Sequence, residues 1–105
     1  MYKRQAVALA LGASTFAVRL RGDLRGETVL LLTRRECTVC AEARRLLEAW
    51  QDDFGYRLWI VDVDEAAPAV REDATARVPV VLWRGRVLAE LDVRGPELRA
   101  ALEAA

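Results

Sequence analysis

Thr28-Val29-Leu30-Leu31-Leu32-Thr33 runs into Arg34-Arg35-Glu36-Cys37-Thr38-Val39-Cys40, and Ala41 then opens an amphipathic stretch that continues to Phe54. The first run holds four consecutive aliphatics, Val29 to Leu32. That pattern predicts a strand over Glu27–Thr33 buried on both faces, as in the interior of a parallel or mixed sheet. The second run predicts a helix from Ala41 to Phe54. Val39, Ala43, Leu46, Leu47, Trp50 and Phe54 fall on one side, with Glu42, Arg44, Arg45, Glu48 and Gln51 on the other. Arg44 and Glu48 are spaced to pair, and Gly55 is a suitable stop. The only two cysteines of the chain therefore sit where a strand gives way to a helix, spaced Cys-x-x-Cys.

That placement selects among the uses of such a pair. A structural zinc site needs four ligands, nearly all Cys or His. The chain has two Cys and no His, so no complete zinc site is expected and no metal is assigned. A disulfide between the two closes a trivial loop and adds little as a staple. Two buried cysteines without a role are the bland alternative. The strand-to-helix position favours redox chemistry instead. A helix N-terminus carries unpaired N–H groups and a partial positive charge, which favour the attacking thiolate. Cys37 at the helix entry is the expected nucleophile. Arg34 and Arg35 add to the field and Glu36 opposes it. Cys40, one turn on, is expected to be less exposed and to resolve the mixed disulfide.

The rest of the chain fits one domain of 105 residues. Sixteen basic and sixteen acidic residues cancel, so neither nucleic acid nor a membrane surface is an expected partner. Residues 1–26 are read as an N-terminal extension. A basic start, Met1 to Gln5, precedes the apolar stretch Ala6–Val18, of roughly signal-peptide length, with Thr15-Phe16-Ala17 as a weak cleavage site. The alternatives are a nonessential extension, disordered or packed as a helix, with an artefactual extreme N-terminus. The compartment is accordingly the cytoplasm, or the periplasm if the stretch is a true signal. Gly22 and Gly26, with the charges between them, read as a linker. The domain proper is placed at 27–105.

Tyr56 to Asp64 predicts a second buried strand, completing a right-handed βαβ unit. Asp62 and Asp64 at its end could pair on a metal, but a solvated strand end is favoured. A short helix is expected over Glu65–Thr75. Arg77 to Trp83 predicts a third strand that opens on a proline, Pro79, with Val78-Pro79 at its start. It turns at Arg84-Gly85 and returns over Arg86–Leu91 as a hairpin. Gly95 and Pro96 open a last helix, with Leu98, Ala101 and Leu102 inward. The order is β-α-β-α-β-β-α, an α/β chain.

With Leu31-Leu32-Thr33-Arg34 leading to Cys37-Thr38-Val39-Cys40, and Val78-Pro79 ahead of Val80-Val81-Leu82, the chain from 27 to 105 resembles the thioredoxin superfamily. Within it, the short glutaredoxin-like proteins of bacteria are most similar. The resemblance implies a four-stranded mixed sheet flanked by helices and a cis peptide at Val78-Pro79 packed beside the cysteines. It implies thiol-disulfide exchange catalysed by Cys37 and Cys40, with Val78, Pro79, Arg34 and Thr38 as substrate-binding residues. The expected partners are a disulfide-containing protein or small thiol as substrate, and glutathione or a reductase as electron donor. No bound cofactor is expected, and the chain is expected to be a monomer. Two departures stand out. Thr38 and Val39 occupy the positions where glutaredoxins usually have proline and tyrosine. The segment Glu90 to Gly95 has one glycine, where glutaredoxins usually hold glutathione with a glycine pair and an aspartate. The alternative function is a redox-sensing or glutathione- or cluster-binding module without dithiol turnover.

Overall fold

The computed structural model describes residues 19–65, 68 and 77–105. Four strands form one sheet: β1 Thr28–Thr33, β2 Arg57–Asp62, β3 Val80–Trp83 and β4 Arg86–Glu90. The helices whose bounds lie among the described residues are α1 Thr38–Ala49, the short α2 Gln51–Phe54 and α3 Gly95–Ala104, apart from a 3₁₀ turn. The strand order is β2-β1-β3-β4. β1 runs parallel to β2, while β3 is antiparallel to both β1 and β4. This is the expected mixed α/β sheet of the thioredoxin type.

The all-aliphatic β1 is interior because both its edges are paired and both its faces covered. Val29 and Leu31 point to the larger core, with Ala43 and Leu47 of α1, Leu98 and Leu102 of α3, and Val81 and Trp83 of β3. Leu32 belongs to a second core on the opposite face, with Val63 and Val80, and Leu30 packs against it. No helix among the described residues is long and apolar enough to cross a membrane.

Several expectations are corrected, among them the start of the third strand, which is Val80 and not Arg77. β2 is not buried on both faces. It is an edge strand, because β3 takes the other side of β1, and Trp59 is left 64% exposed. α1 begins at Thr38 rather than Ala41 and ends at Ala49. Trp50 leaves helical geometry at φ −95° and ψ 0°, so α2 is a separate turn. Gly55 caps α2 at φ +85°, its N–H 2.6 Å from Gln51 O, and the Arg25 side chain fills the space a Cβ would need. Val39, counted with the inward face, is exposed because the buried face of α1 runs through Cys40, Ala43 and Leu47 and Val39 lies to one side of it. The second strand stops at Asp62, and Val63–Glu65 form a 3₁₀ turn. Apart from Glu65 and Pro68, the expected helix over 65–75 lies outside the described residues.

The segment read as a linker is a strap on the domain. Leu24 is fully buried in the main core. Its N–H donates to Phe54 O at 2.9 Å, and Gly22 N–H donates to Ala105 O at 3.0 Å. Arg19 Nη1 also donates to Ala105 O at 3.1 Å. The boundary at Glu27 therefore cuts through packed structure. Residues 1–18, with the signal-like stretch, lie outside the described residues.

At the hairpin, Arg84 and Gly85 take φ +52° and +76°, the paired left-handed values of a two-residue turn that matches strand twist. Glu27 holds that turn. Its carboxylate accepts from Arg84 Nε at 2.9 Å, Arg84 Nη2 at 2.6 Å and Trp83 Nε1 at 3.1 Å. The Arg84 hydrogen bond, helped by Trp83 and the two nearby guanidiniums, holds the Glu27 carboxyl below its ordinary value despite partial burial. The guanidiniums of Arg19 and Arg84 each lie 5.0 Å from the centre of the Trp83 ring, within cation–π range.

Leu24→Ala should cost about 2–5 kcal/mol, the range for a fully buried leucine. Urea unfolding of this variant, beside a chain starting at Glu27, checks whether the strap is part of the core. The shorter chain is expected to melt lower than one starting at Arg19. Glu27→Gln should lower the melting temperature by about 4 °C at neutral pH. The sign follows from the depressed carboxyl: its stabilisation is complete above the ordinary value of 4.5 and is lost as pH falls through the lower folded value. The melting difference between the two proteins should therefore shrink on acidification, as thermal scans across pH would show.

Candidate active site

The sheet delivers the cysteines to one end of the molecule. β1 exits at Thr33, and the chain turns through Arg34 and Arg35 to Glu36, which takes the left-handed φ of +55°. That conformation is uncommon for a residue with a Cβ. It redirects the chain so that Cys37, at φ −114° and ψ 107°, becomes the N-cap of α1. The Cys37 side chain does what a capping oxygen does elsewhere. Its Sγ accepts the Cys40 N–H at 3.1 Å. Thr38 is the first helical residue and is exposed.

Cys37 and Cys40 are joined as a disulfide, with Cα atoms 5.2 Å apart. Cys37 is half-buried, whereas Cys40 is 1% exposed. This is the asymmetry expected of an outer and an inner sulfur. No acidic residue stands in the first turn of α1, so no carboxylate there opposes the helix field. Further along, Glu42 is tied to Arg45 at 2.6 Å, and that hydrogen bond holds its carboxyl below the ordinary value.

A cleft of about 420 Å³ opens beside the disulfide. Cys37 and Cys40 line it with Arg34, Arg35, Glu36 and Arg44, and its far wall is Ile60, Asp62 and Glu65. The far wall was not foreseen from sequence. The signal was available in the parallel pairing, because the register that sets Thr33 beside Asp62 brings the end of β2 to the end of β1. Asp62 and Asp64 serve the arginines: Arg35 lies 3.7 Å from Asp62 and 3.4 Å from Glu65, and Arg34 lies 4.0 Å from Asp64. These ion pairs offset the positive charge that Arg34 and Arg35 would otherwise direct at Cys37. The Asp62 carboxylate also accepts the Asp64 N–H at 2.9 Å, which begins the 3₁₀ turn.

Val78 and Pro79 approach from the other side. The Val78–Pro79 peptide is cis, as the resemblance implies. Antiparallel pairing sets Val80 opposite Leu32, so the Val78–Pro79 step lies at the disulfide end of the sheet, on the β3 side. Pro79 is buried and Val78 half-buried. The cleft is therefore walled by β2 and not by Pro79. Of the residues singled out in the sequence, the structure places Cys37, Cys40 and Arg34 on one cleft, Thr38 beside Cys37 but outside the cleft lining, and Val78 and Pro79 across the sheet end.

The chain is similar to solved structures over most of its length. An X-ray structure of a Northeast Structural Genomics target protein from X. campestris shares 29% identity with it. The match covers 73% of this chain and 97% of that one, with a TM-score of 0.61. A malarial protein matches at 23% identity over 72% of this chain and 92% of its own, with a TM-score of 0.54. Thioredoxin-2 of the malaria parasite, described as a component of its protein secretion machinery, matches at 20% identity. That alignment covers 83% of this chain and 86% of thioredoxin-2, with a TM-score of 0.50. The last two likenesses bear on the fold alone. No curated protein matches the sequence. The model of the glutaredoxin-like domain (DUF836) matches residues 28–103, from the first residue of β1 into the last turn of α3, and the chain belongs to that family.

Proposed function

We propose that the chain is a thiol-disulfide oxidoreductase working through Cys37 and Cys40. The observation that carries this reading is the capping sulfur. Cys37 Sγ stands at the start of α1, accepts the Cys40 N–H, and is more accessible than its partner. In the reduced protein the same N–H and the free N–H groups of the first turn favour a thiolate on Cys37.

The cycle uses only these two sulfurs and the substrate. The Cys37 thiolate attacks one sulfur of a substrate disulfide. That S–S bond breaks, a mixed disulfide forms on Cys37, and the other sulfur leaves as a thiolate that takes a proton from solvent. Cys40, as thiolate, then attacks Cys37 Sγ. The second substrate thiol is released and the Cys37–Cys40 disulfide forms. Two electrons have passed from the dithiol to the substrate, and glutathione or a reductase restores them. Arg34 and Thr38 flank the attacked sulfur on the helix side. On the β3 side an extended substrate pairs with the Val78 backbone as an added strand, the side chain of Pro79 lying beneath it.

The two sulfurs should react unequally. In the reduced protein, alkylation by iodoacetamide at neutral pH should modify Cys37 more than tenfold faster than Cys40, with peptide mass mapping as the readout. Equal rates would remove the argument from the helix field. The single-cysteine variants test the assignment of roles. Cys40→Ser should accumulate a mixed disulfide with substrate, because nothing within the protein resolves it. Cys37→Ser should form none. Intact-mass measurement after exposure to a disulfide substrate reads both. Equal trapping on the two variants would defeat the roles given to them, and no adduct on either would favour a binding module without turnover.

A further inference from the structure

Strand β2 forms one edge of the sheet, and among the described residues no strand pairs with its outer side. Arg57 N–H donates to Glu27 O at 2.9 Å, so the backbone of Arg57 faces β1. Alternation along a strand then directs the N–H and C=O groups of Leu58 and Ile60 outward. The side chains of Leu58 and Ile60 pack against the main core. Trp59, between them, stands on the opposite face of the sheet beside its β1 neighbour Leu30, away from α1 and α3. It is 64% exposed, more than any other large apolar side chain described.

Edge strands are ordinarily blunted by bulges, prolines or charges. β4, the other edge, has such devices. Its pairing with β3 slips between Val81 and Leu82, and Arg86 and Glu90 stand at its two ends with a single run of three apolar residues between them. β2 pairs with β1 in unbroken register over six residues and has no charge between Arg57 and Asp62. Its two ends differ in sign. Arg57 is exposed and holds no carboxylate partner among the described residues. At the other end stand Asp62, Asp64 and Glu65, the last two with side chains 39% and 69% exposed. An edge that is basic at one end, apolar in the middle and acidic at the other end complements itself when two copies run antiparallel.

We propose that the β2 edge is an interaction surface whose partner is a second copy of this chain, in place of the monomer expected from the sequence. The two β2 strands lie antiparallel about a two-fold axis perpendicular to the sheet, and the contact closes at two chains. Trp59 meets Trp59 of the second copy at a non-hydrogen-bonded position, with Cα atoms about 4.5 Å apart. Leu58 of each copy exchanges backbone hydrogen bonds with Ile60 of the other, which satisfies the outward groups. Arg57 of each copy comes to the acidic end of the other strand, toward Asp64 and Glu65. A contact confined to one strand edge is at the small end of interfaces, so the association depends on concentration.

The test is the mass of the full chain in solution, followed by light scattering over a concentration series in dithiothreitol, which removes disulfides between copies. The mass should rise from one chain toward two. Trp59→Lys should raise the dissociation constant more than about tenfold, as loss of a central aromatic anchor predicts. Arg57→Glu should raise it by roughly threefold to tenfold, and added salt should weaken the wild-type dimer. Val87→Lys, on the β4 edge, should leave it unchanged. All three side chains are exposed, so the variants are expected to keep the circular dichroism and melting temperature of the wild type. Arg57→Glu reads the same surface if Trp59→Lys does not fold. A single-chain mass at every concentration would overturn the proposal and leave the edge to a different polypeptide. A dimer that Trp59→Lys leaves intact, that Val87→Lys dissolves or that dithiothreitol abolishes would overturn it as well.

Discussion

The fold depends on β1. Among the described strands it alone has a parallel neighbour on one side and an antiparallel neighbour on the other, and it contributes to the cores on both faces of the sheet. A run of four aliphatics can occupy such a position because every side chain finds apolar company whichever way it points. The consequence reaches the chemistry. Because β1 is fixed on both edges and both faces, the point at which the chain leaves it is fixed too. Glu36 then turns the chain by a left-handed residue, and Cys37 arrives as the cap of α1. The Cys37 sulfur is thus positioned by a strand held on both edges and both faces, at the start of the helix that follows.

Electrostatics at the site are local. The guanidiniums of Arg34 and Arg35, close in sequence to Cys37, are drawn toward carboxylates at the end of β2 and the turn beyond it. What remains directed at Cys37 Sγ is the helix start itself, with a hydrogen bond from the Cys40 N–H and no carboxylate in the first turn. Backbone dipoles held by a packed helix cannot swing away as long side chains can. The ion pairs have a second effect: they close one wall of the cleft with residues from β2 and so give the disulfide one polar flank. The opposite flank, toward β3 and β4, is rimmed by aliphatic side chains.

The far end of the sheet is held by a different set of contacts. Trp83, between the guanidiniums of Arg19 and Arg84, donates to Glu27, and Glu27 in turn holds the Arg84 side chain of the hairpin. The strap from Arg19 to Gly26 then closes over the ends of α2 and α3 through Leu24 and Gly22. Tyr56, buried at the entry to β2, donates its hydroxyl to Leu47 O, and burial raises its pKa well above the ordinary value. These contacts join the elements remote from the disulfide.

Legible in the residues alone are the four strands, the strand-helix placement of Cys37 and Cys40, the hairpin at Arg84-Gly85 and the last helix opened by Gly95 and Pro96. Each rests on local physics: side-chain periodicity, turn stereochemistry, and the cap demanded at a helix start. Edge position, register and the seating of the strap are matters of neighbourhood. The apolar run Leu58 to Val61 reads the same in an edge strand as in a central one, so it predicts an interior Trp59, whereas β3 lies on the far side of β1 and leaves β2 at the edge. Asp62 and Glu65 became part of the site through a parallel register that joins residues 29 apart in the case of Thr33 and Asp62. The charged segment 22–26 resembles a linker because its single anchoring side chain, Leu24, has no periodic partner nearby in sequence; its partners are on α2, on α3 and in the sheet. Leu91 carries no sequence mark of a left-handed residue, since that conformation is imposed by hydrogen bonds to Arg77 O and Pro79 O across the sheet. Local preference acts within a few residues, whereas edge, register and imposed backbone conformation depend on which distant segments come to lie side by side.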